Sequence, residues 1–254
     1  MRGFSESKQM GSTLSLSSVA ISWIDQEENY GRHVVRSFLE RCAPYGHVLD
    51  VGAGCGNDLA IARDVCPEAV CHAIECFPRN VAALENHGFP VNSLNLERDQ
   101  FPFADACLDV IIANQILEHT KELFWILHEM SRCLKVGGRL LIGVPNVAAF
   151  HNRILLLFGR HPSQAKSCSA HVRCFSGNDF LDFLGRTFPG GYDLEAFAGS
   201  NFYPFPKCIA RPLAAFFPSM AQSIFFLLRK KMGYTGSIVD YPRKHPLETN
   251  FWLG

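Results

Sequence analysis

Apolar residues recur at helical spacing over residues 30–42, where Val34, Val35, Phe38 and Leu39 share one face before Pro44 ends the segment. The pattern then alternates. Short β-type runs at 47–51, 69–75, 91–96, 108–113 and 139–145 are separated by helical stretches at 57–66, 78–87 and 121–134. The last of these is the clearest, with Leu123, Leu127, Met130 and Leu134 on one face. Short apolar strands alternating with helices predict a parallel sheet covered on both faces. Beyond Pro145 the rhythm changes. A helix is predicted over 149–158, followed by a loop rich in His, Ser and Cys, and then a short helix that Ser176 and Asp179 open in the manner of a capping box. Strands are expected at 192–197 and 223–228, flanking a Phe- and Pro-rich insert at 201–220. Residues 1–28 are polar and aperiodic and read as an N-terminal arm, 29–231 as one domain, and 232–254 as a polar C-terminal tail.

A chain of 254 residues with 48% hydrophobic positions is long enough for one sizeable core. Equal numbers of basic and acidic side chains, 24 of each, remove the cationic surplus that phosphate-backbone binding needs, so nucleic acid is not an expected partner. Glu6 and Lys8 interrupt any apolar leader, and a cytoplasmic location is expected. The longest uncharged run, residues 212–228, is 17 residues long and broken by Pro218, short of the roughly 20 a spanning helix requires. Twelve of the 21 Phe fall in the last 80 residues, so the aromatic surplus belongs to the insert and its surroundings. The ten Cys are scattered without a Cys-x-x-Cys pair. They are expected to be buried, reduced thiols, and no metal site is expected.

The strongest local signal is His47-Val-Leu-Asp-Val-Gly-Ala-Gly-Cys-Gly56, an apolar strand running into Asp50 and three glycines at alternate positions before a helix. A dinucleotide loop would read Gly-x-Gly-x-x-Gly, and neither register fits: from Gly52 the third glycine falls on Asn57, and from Gly54 on Leu59. The loop resembles the Asp-x-Gly-x-Gly-x-Gly signature of class I S-adenosylmethionine-dependent methyltransferases. Three later stretches extend the resemblance to the methyltransferase-type-11 branch: Asn95-Leu96-Glu97, the run from Phe101 through Asp109 and Asn114 to Glu118-His119, and Leu134-Lys-Val-Gly-Gly-Arg139 continuing to Pro145-Asn146. It covers roughly residues 30–230.

The resemblance implies a Rossmann-like α/β fold with a seven-stranded, mostly parallel sheet flanked by helices, its last strand antiparallel. S-adenosyl-L-methionine is the implied cofactor, held at Asp50, Gly52, Gly54, Gly56, Glu75, Cys76, Asn95, Leu96 and Asn114. Glu75 would accept hydrogen bonds from the ribose hydroxyls, with Cys76 and Phe77 against the adenine. The branch has Asp where Asn95 stands, and the Asn carbonyl oxygen can still accept from the adenine amino group. Additions at 147–190 and 201–220 fall where such enzymes build the acceptor pocket.

Methyl transfer needs donor and acceptor held in line and water excluded. His119, after the fourth strand, is the first candidate for a general base to a hydroxyl acceptor, the alternative being that it and Glu118 only start the next helix. His171 is the second, and Arg173 could clamp an acceptor carboxylate or phosphate unless it is simply a surface residue. The expected function is methyl transfer to a small-molecule or glycan acceptor, at oxygen. A non-catalytic S-adenosylmethionine-binding or scaffold protein and a nicotinamide-dependent oxidoreductase are the alternatives. The Phe-rich segment reads either as core or as an apolar lid making peripheral membrane contact through 202–231, with Lys207, Arg211 and Arg229-Lys230-Lys231 near headgroups.

Overall fold

A computed structural model describes residues 26–245 of the chain; residues 1–25 of the arm and 246–254 of the tail lie outside the described residues. A 3-10 turn, Gln26–Tyr30, leads into α1 (Arg32–Cys42). The alternation then follows as β1 (His47–Val51), α2 (Asn57–Val65), β2 (Val70–Ile74), α3 (Pro78–Asn86), β3 (Val91–Asn92), β4 (Leu108–Asn114), α4 (Leu123–Cys133) and β5 (Leu134–Pro145). The second half adds α5 (Phe150–Leu157), α6 (Gly177–Thr187), β6 (Tyr192–Ser200), α7 (Lys207–Phe216), β7 (Ser223–Lys230) and α8 (Ser237–Lys244).

The strands form one seven-stranded sheet in the order β3-β2-β1-β4-β5-β7-β6, with β7 antiparallel to both neighbours and the rest parallel to one another. Strand periodicity divides the core between the two faces. Leu49, Ile111, Ile142 and Phe226 pack under α4 and α6, whereas Val48, Val110, Ile112, Leu141 and Phe225 pack under α1 and α2. Strand order reverses between β1 and β4, which opens a crevice at their carboxyl ends. The same period places Asp50 of β1 and Asn114 of β4 on one face of the sheet at that crevice.

Several boundaries differ from the sequence pattern for local reasons. Strand β3 stops at Asn92 because the chain beyond it turns on its own side chains: Glu97 N–H donates to Asn95 Oδ1 and Asn95 N–H to Asp99 Oδ2. Strand β5 begins at Leu134, straight out of α4, with Gly137 and Gly138 masking its alternation. Ser176 does sit at the N-cap of α6, but its side chain makes no capping hydrogen bond. The segment read as tail contains α8, whose Ile238 is fully buried against α4 and α6.

The membrane-facing reading of residues 202–231 meets two contrary observations. Lys230 is buried and its Nζ donates to the Ser131 and Leu134 carbonyls at the end of α4, both at 2.6 Å, instead of facing solvent. Lys207 and Arg211 pair with the buried Glu28. Phe225 and Phe226 are core, while Phe216 and Phe217 remain exposed. Among the described residues no helix is long and apolar enough to cross a membrane. The ten cysteines are all unpaired, but only Cys42, Cys71 and Cys133 are buried. Cys55, Cys76, Cys168, Cys174 and Cys208 are exposed because they fall in loops or at helix ends facing solvent. Burial pushes the Cys42 and Cys133 thiols up to about 12.

Candidate active site

The glycine loop is shaped by what lies beneath it. Gly52 and Gly56 adopt positive φ, 74° and 83°, and a Cβ at Gly52 would come within 2.5 Å of Ile116 and one at Gly56 within 2.7 Å of Leu84. These two glycines therefore let the loop lie flat on its supports. Gly54 differs: a Cβ there would meet nothing within 4 Å, because its open side faces a cavity of about 420 Å³.

Asp50, Gly52, Gly54, Glu75 and Asn114 line that cavity, together with Tyr30, Arg32, Asp58, Asn80 and Gln115. Four carboxylates, those of Asp50, Asp58, Glu75 and Glu27, thus share one space. Burial, then the nearby Asp58 and Glu75 charges, push Asp50 well above the usual carboxylate range. Burial also raises Asp58, against an opposing hydrogen bond from Asn114 and the charge of Arg32. Asn114 Nδ2 donates to the Tyr30 carbonyl at 2.9 Å and to Asp58 Oδ2 at 2.8 Å, which fixes its orientation. Asp58 Oδ1, Asn114 Oδ1 and Arg32 Nε are buried with no hydrogen-bond partner among the described residues. A ligand bearing an ammonium, a carboxylate and a positive charge fits this donor and acceptor set.

Glu75 is more occupied than the sequence suggested. Its Oε1 accepts from the Cys76 and Phe77 N–H groups and its Oε2 from Gly54 N–H at 2.8 Å and Asn80 Nδ2 at 3.3 Å, which fills its roughly four acceptor directions. A ribose hydroxyl could bind by displacing the long Asn80 contact. Gly56, Cys76, Asn95 and Leu96 are not among the lining residues. Gly56 supports the loop, Cys76 and Asn95 are exposed, and Leu96 packs against the core.

Tyr30 and Gln115 also line a second cavity of about 230 Å³, which holds Glu118, His119 and His171. Glu118 and His119 come from the 3-10 turn Leu117–His119 after β4. The loop carrying His171 is fastened to that turn: Val172 and Arg173 N–H donate to the Glu118 carbonyl at 2.8 and 3.2 Å. The His119 and His171 rings meet edge to face at 4.9 Å. Burial pushes Glu118 up to about 7, and burial followed by the His119 charge lowers His171. Arg173 lines neither cavity, because its guanidinium donates to the Thr120 and Lys121 carbonyls. Its observed part is holding the loop. A third cavity of about 590 Å³, lined by His151, Ile154, Leu155, Lys166 and Tyr203, shares Asn29 and Gln222 with the second.

Sequence reasoning missed Tyr30, Arg32, Asp58, Gln115 and the inward side chain of Glu118. Asp58 alone carried a usable signal, as an acidic residue in the first turn of the helix that the glycine loop opens.

Residues 49–142 match the family model described as a methyltransferase domain. Over this segment the chain resembles a methyltransferase domain. The chain is 30% identical over 104 residues to a malonyl-[acyl-carrier protein] O-methyltransferase of Herminiimonas arsenicoxydans, covering 41% of this chain and 39% of that protein. It is 30% identical over 141 residues to a trans-aconitate 2-methyltransferase of Mycobacterium sp. (strain KMS), covering 53% and 54%. The chain therefore spans about half or less of the length of these curated relatives. Two solved S-adenosylmethionine-dependent methyltransferases share the fold. One, from Thermotoga maritima, has TM-score 0.55 and 15% identity, covering 85% of this chain and 96% of that one. The other, from Archaeoglobus fulgidus, has TM-score 0.52 and 18% identity, covering 80% and 97%. The matched segment runs from β1 into β5 and so contains the glycine loop, Glu75, Asn114 and His119.

Proposed function

We propose that this chain transfers a methyl group from S-adenosylmethionine to a hydroxyl of a small-molecule or glycan acceptor. The observation that carries the reading is the acidic cavity under the glycine loop, which shares the lining residues Tyr30 and Gln115 with a second cavity that presents two histidines. Bound in the first cavity, S-adenosylmethionine would supply the methyl group of its sulfonium to the acceptor oxygen, whose proton would pass to His119. The chain's own contribution is placement and charge. Asp58 offers an oxygen to an ammonium, Arg32, whose Nε lies 3.9 Å from Asp58 Oδ1, is the cation lining the cavity that would meet a carboxylate, and Asp50 balances positive charge. Glu75 takes a ribose hydroxyl in place of Asn80, with Gly54 leaving room for the sugar. Cys76, Asn95 and Leu96 lie outside the lining of this cavity and are given no cofactor contact.

His119 and His171 then bind and activate the acceptor oxygen at the far side of Tyr30 and Gln115. Oxygen as the acceptor atom agrees with the name of one relative, an O-methyltransferase. The test is incubation of the full chain with methyl-labelled S-adenosylmethionine. Retention of label on the protein, and its transfer to hydroxyl compounds in an acceptor panel, is the expected result. No retention would overturn the reading, and retention without any transfer would point to a binding protein of this fold. Replacing His119 by Gln is expected to lower turnover roughly 10²–10⁴-fold with cofactor affinity unchanged.

A further inference from the structure

We propose that Glu118, His119 and His171 form a binding site for one divalent first-row transition ion, such as Zn²⁺ or Mn²⁺, at the acceptor end of the crevice. The binding itself does not depend on the methyl-transfer reading; only its consequence for the acceptor does.

The site is assembled by backbone before any ion is considered. Glu118 and His119 are adjacent in a single 3-10 turn, and two hydrogen bonds to the Glu118 carbonyl bring the loop of His171 alongside. One ligand atom from each of the three side chains lies within 4.8 Å of the others. Bonds of about 2.0–2.1 Å around a tetrahedral ion would put these atoms roughly 3.3 Å apart, so modest side-chain rotation closes the set.

The unmet hydrogen-bonding capacity points to a missing ligand. Glu118 is 2% exposed at its side chain, lines the cavity, and keeps Oε2 buried with no partner among the described residues. His171 Nδ1 is in the same condition. A buried acceptor left unpaired costs about 1–3 kcal/mol. Two such atoms, on side chains whose ligand atoms come within 4.8 Å of one another, favour an occupant that both can bind. His119 is already oriented as such a ligand. Its Nδ1 lies 3.2 Å from the Ala170 carbonyl, which only accepts, so Nδ1 carries the hydrogen and Nε2 presents a lone pair 3.8 Å from Glu118 Oε1. A ring N–H held by a backbone carbonyl while the other nitrogen faces the site is the usual support of a metal-bound histidine.

The donor set also selects the ion. Two imidazoles and one carboxylate suit Zn²⁺, Mn²⁺, Fe²⁺ or Co²⁺, whereas Ca²⁺ and Mg²⁺ prefer oxygen throughout. Three protein ligands leave at least one position open toward a cavity of about 230 Å³. An acceptor hydroxyl placed there would be held and its pKa lowered, so the two histidines would act through the ion.

The test uses the full chain, stripped with chelator and titrated calorimetrically with Zn²⁺, Mn²⁺ and Mg²⁺ separately, with Co²⁺ as a spectroscopic probe. The expected result is one site for Zn²⁺ and Co²⁺ in the micromolar range or tighter, a visible Co²⁺ spectrum of nitrogen ligation, and much weaker Mg²⁺ binding. Glu118→Gln and His171→Ala should each weaken Zn²⁺ at least about 100-fold, more than an outer partner would. Since Glu118 is buried and its variant could fail to fold, His171→Ala, on a loop, carries the test alone in that event. Absence of Zn²⁺ and Co²⁺ binding, or binding that His171→Ala leaves unchanged, overturns the site. Labelled S-adenosylmethionine retention, measured on the stripped protein, reports the cofactor reading separately.

Discussion

Asp50 shows how function and stability pull apart at one residue. It is fully enclosed beside Asp58 and Glu75, and its carboxyl is held well above its ordinary range, first by burial and then by those charges. A carboxyl whose pKa rises on folding favours the protonated form. Its stabilising contribution is therefore complete only below the unfolded value near 3.8, and it is lost as pH rises through the folded value. Asp50→Asn keeps the shape and removes the charge. It is expected to raise the stability of the ligand-free protein at pH 8 by about 1–2 kcal/mol, with a smaller gain at pH 5, which lies only a little above the unfolded value. The same variant should bind S-adenosylmethionine more weakly. Urea melts at the two pH values check the first part, and equal destabilisation at both would mean the carboxylate makes favourable contacts. In the wild type, a cationic ligand favours ionised Asp50 and Asp58, so binding releases protons. Affinity for S-adenosylmethionine should therefore rise between pH 6 and 8 by more than affinity for S-adenosylhomocysteine, whose sulfur is uncharged. Calorimetry on both ligands decides it, and parallel pH profiles would remove the carboxylates from charge recognition.

At the scale of elements, the 3-10 turn Gln26–Tyr30 closes the site. Its Glu27 and Tyr30 line the first cavity, Tyr30 and Asn29 the second, and Asn29 the third. The turn is clamped by Glu28, buried, with Arg211 at 2.8 Å and Lys207 at 2.9 Å from α7. Burial alone would raise the Glu28 pKa, but the Arg211 and Lys207 hydrogen bonds outweigh it and hold the group below its usual value. The sign is opposite to Asp50: this stability is present above the ordinary value of 4.5 and is lost as pH falls through the folded value. Glu28→Gln is expected to cost about 1–3 kcal/mol at pH 7, less than a fully buried pair because both cations are half exposed. It should also raise KM for the cofactor through the loosened Tyr30. A variant as stable as wild type at pH 7 would show that the clamp contributes nothing. This contact also marks where sequence reading ends. Strand β1, the glycine loop and α2 were legible because period and glycine spacing are local, and so were Asp50, Glu75 and Asn114 at strand ends. The Glu28 clamp, the stapling of His171 to Glu118 and the inward turn of Lys230 join residues far apart in the chain, which no local period encodes.

Across the whole molecule, the two ends of the sheet carry different burdens. The crevice and its cavities lie at the carboxyl ends of the parallel strands. Strand β7 runs the other way, so the chain leaving it delivers α8 to the opposite end. There Tyr234 bonds His128 Nδ1 at 2.8 Å and receives the Ile238 N–H at 3.2 Å, while Ile238 fills the core between α4 and α6. Residues 234–244 are thus part of the folded body, although their polar composition reads as a tail. Ile238→Ala should cost about 2–4 kcal/mol through lost burial and a residual cavity. Because the change is remote from the crevice, the stabilisation conferred by bound cofactor, set by concentration relative to Kd, should be the same in variant and wild type. Urea unfolding with and without S-adenosylhomocysteine measures both quantities together. The expected outcome is a lower midpoint with an unchanged ligand-induced increment. An increment reduced by more than about 1.4 kcal/mol, a tenfold loss of affinity, would mean that packing at the far end of the sheet sets the geometry of the cofactor cavity.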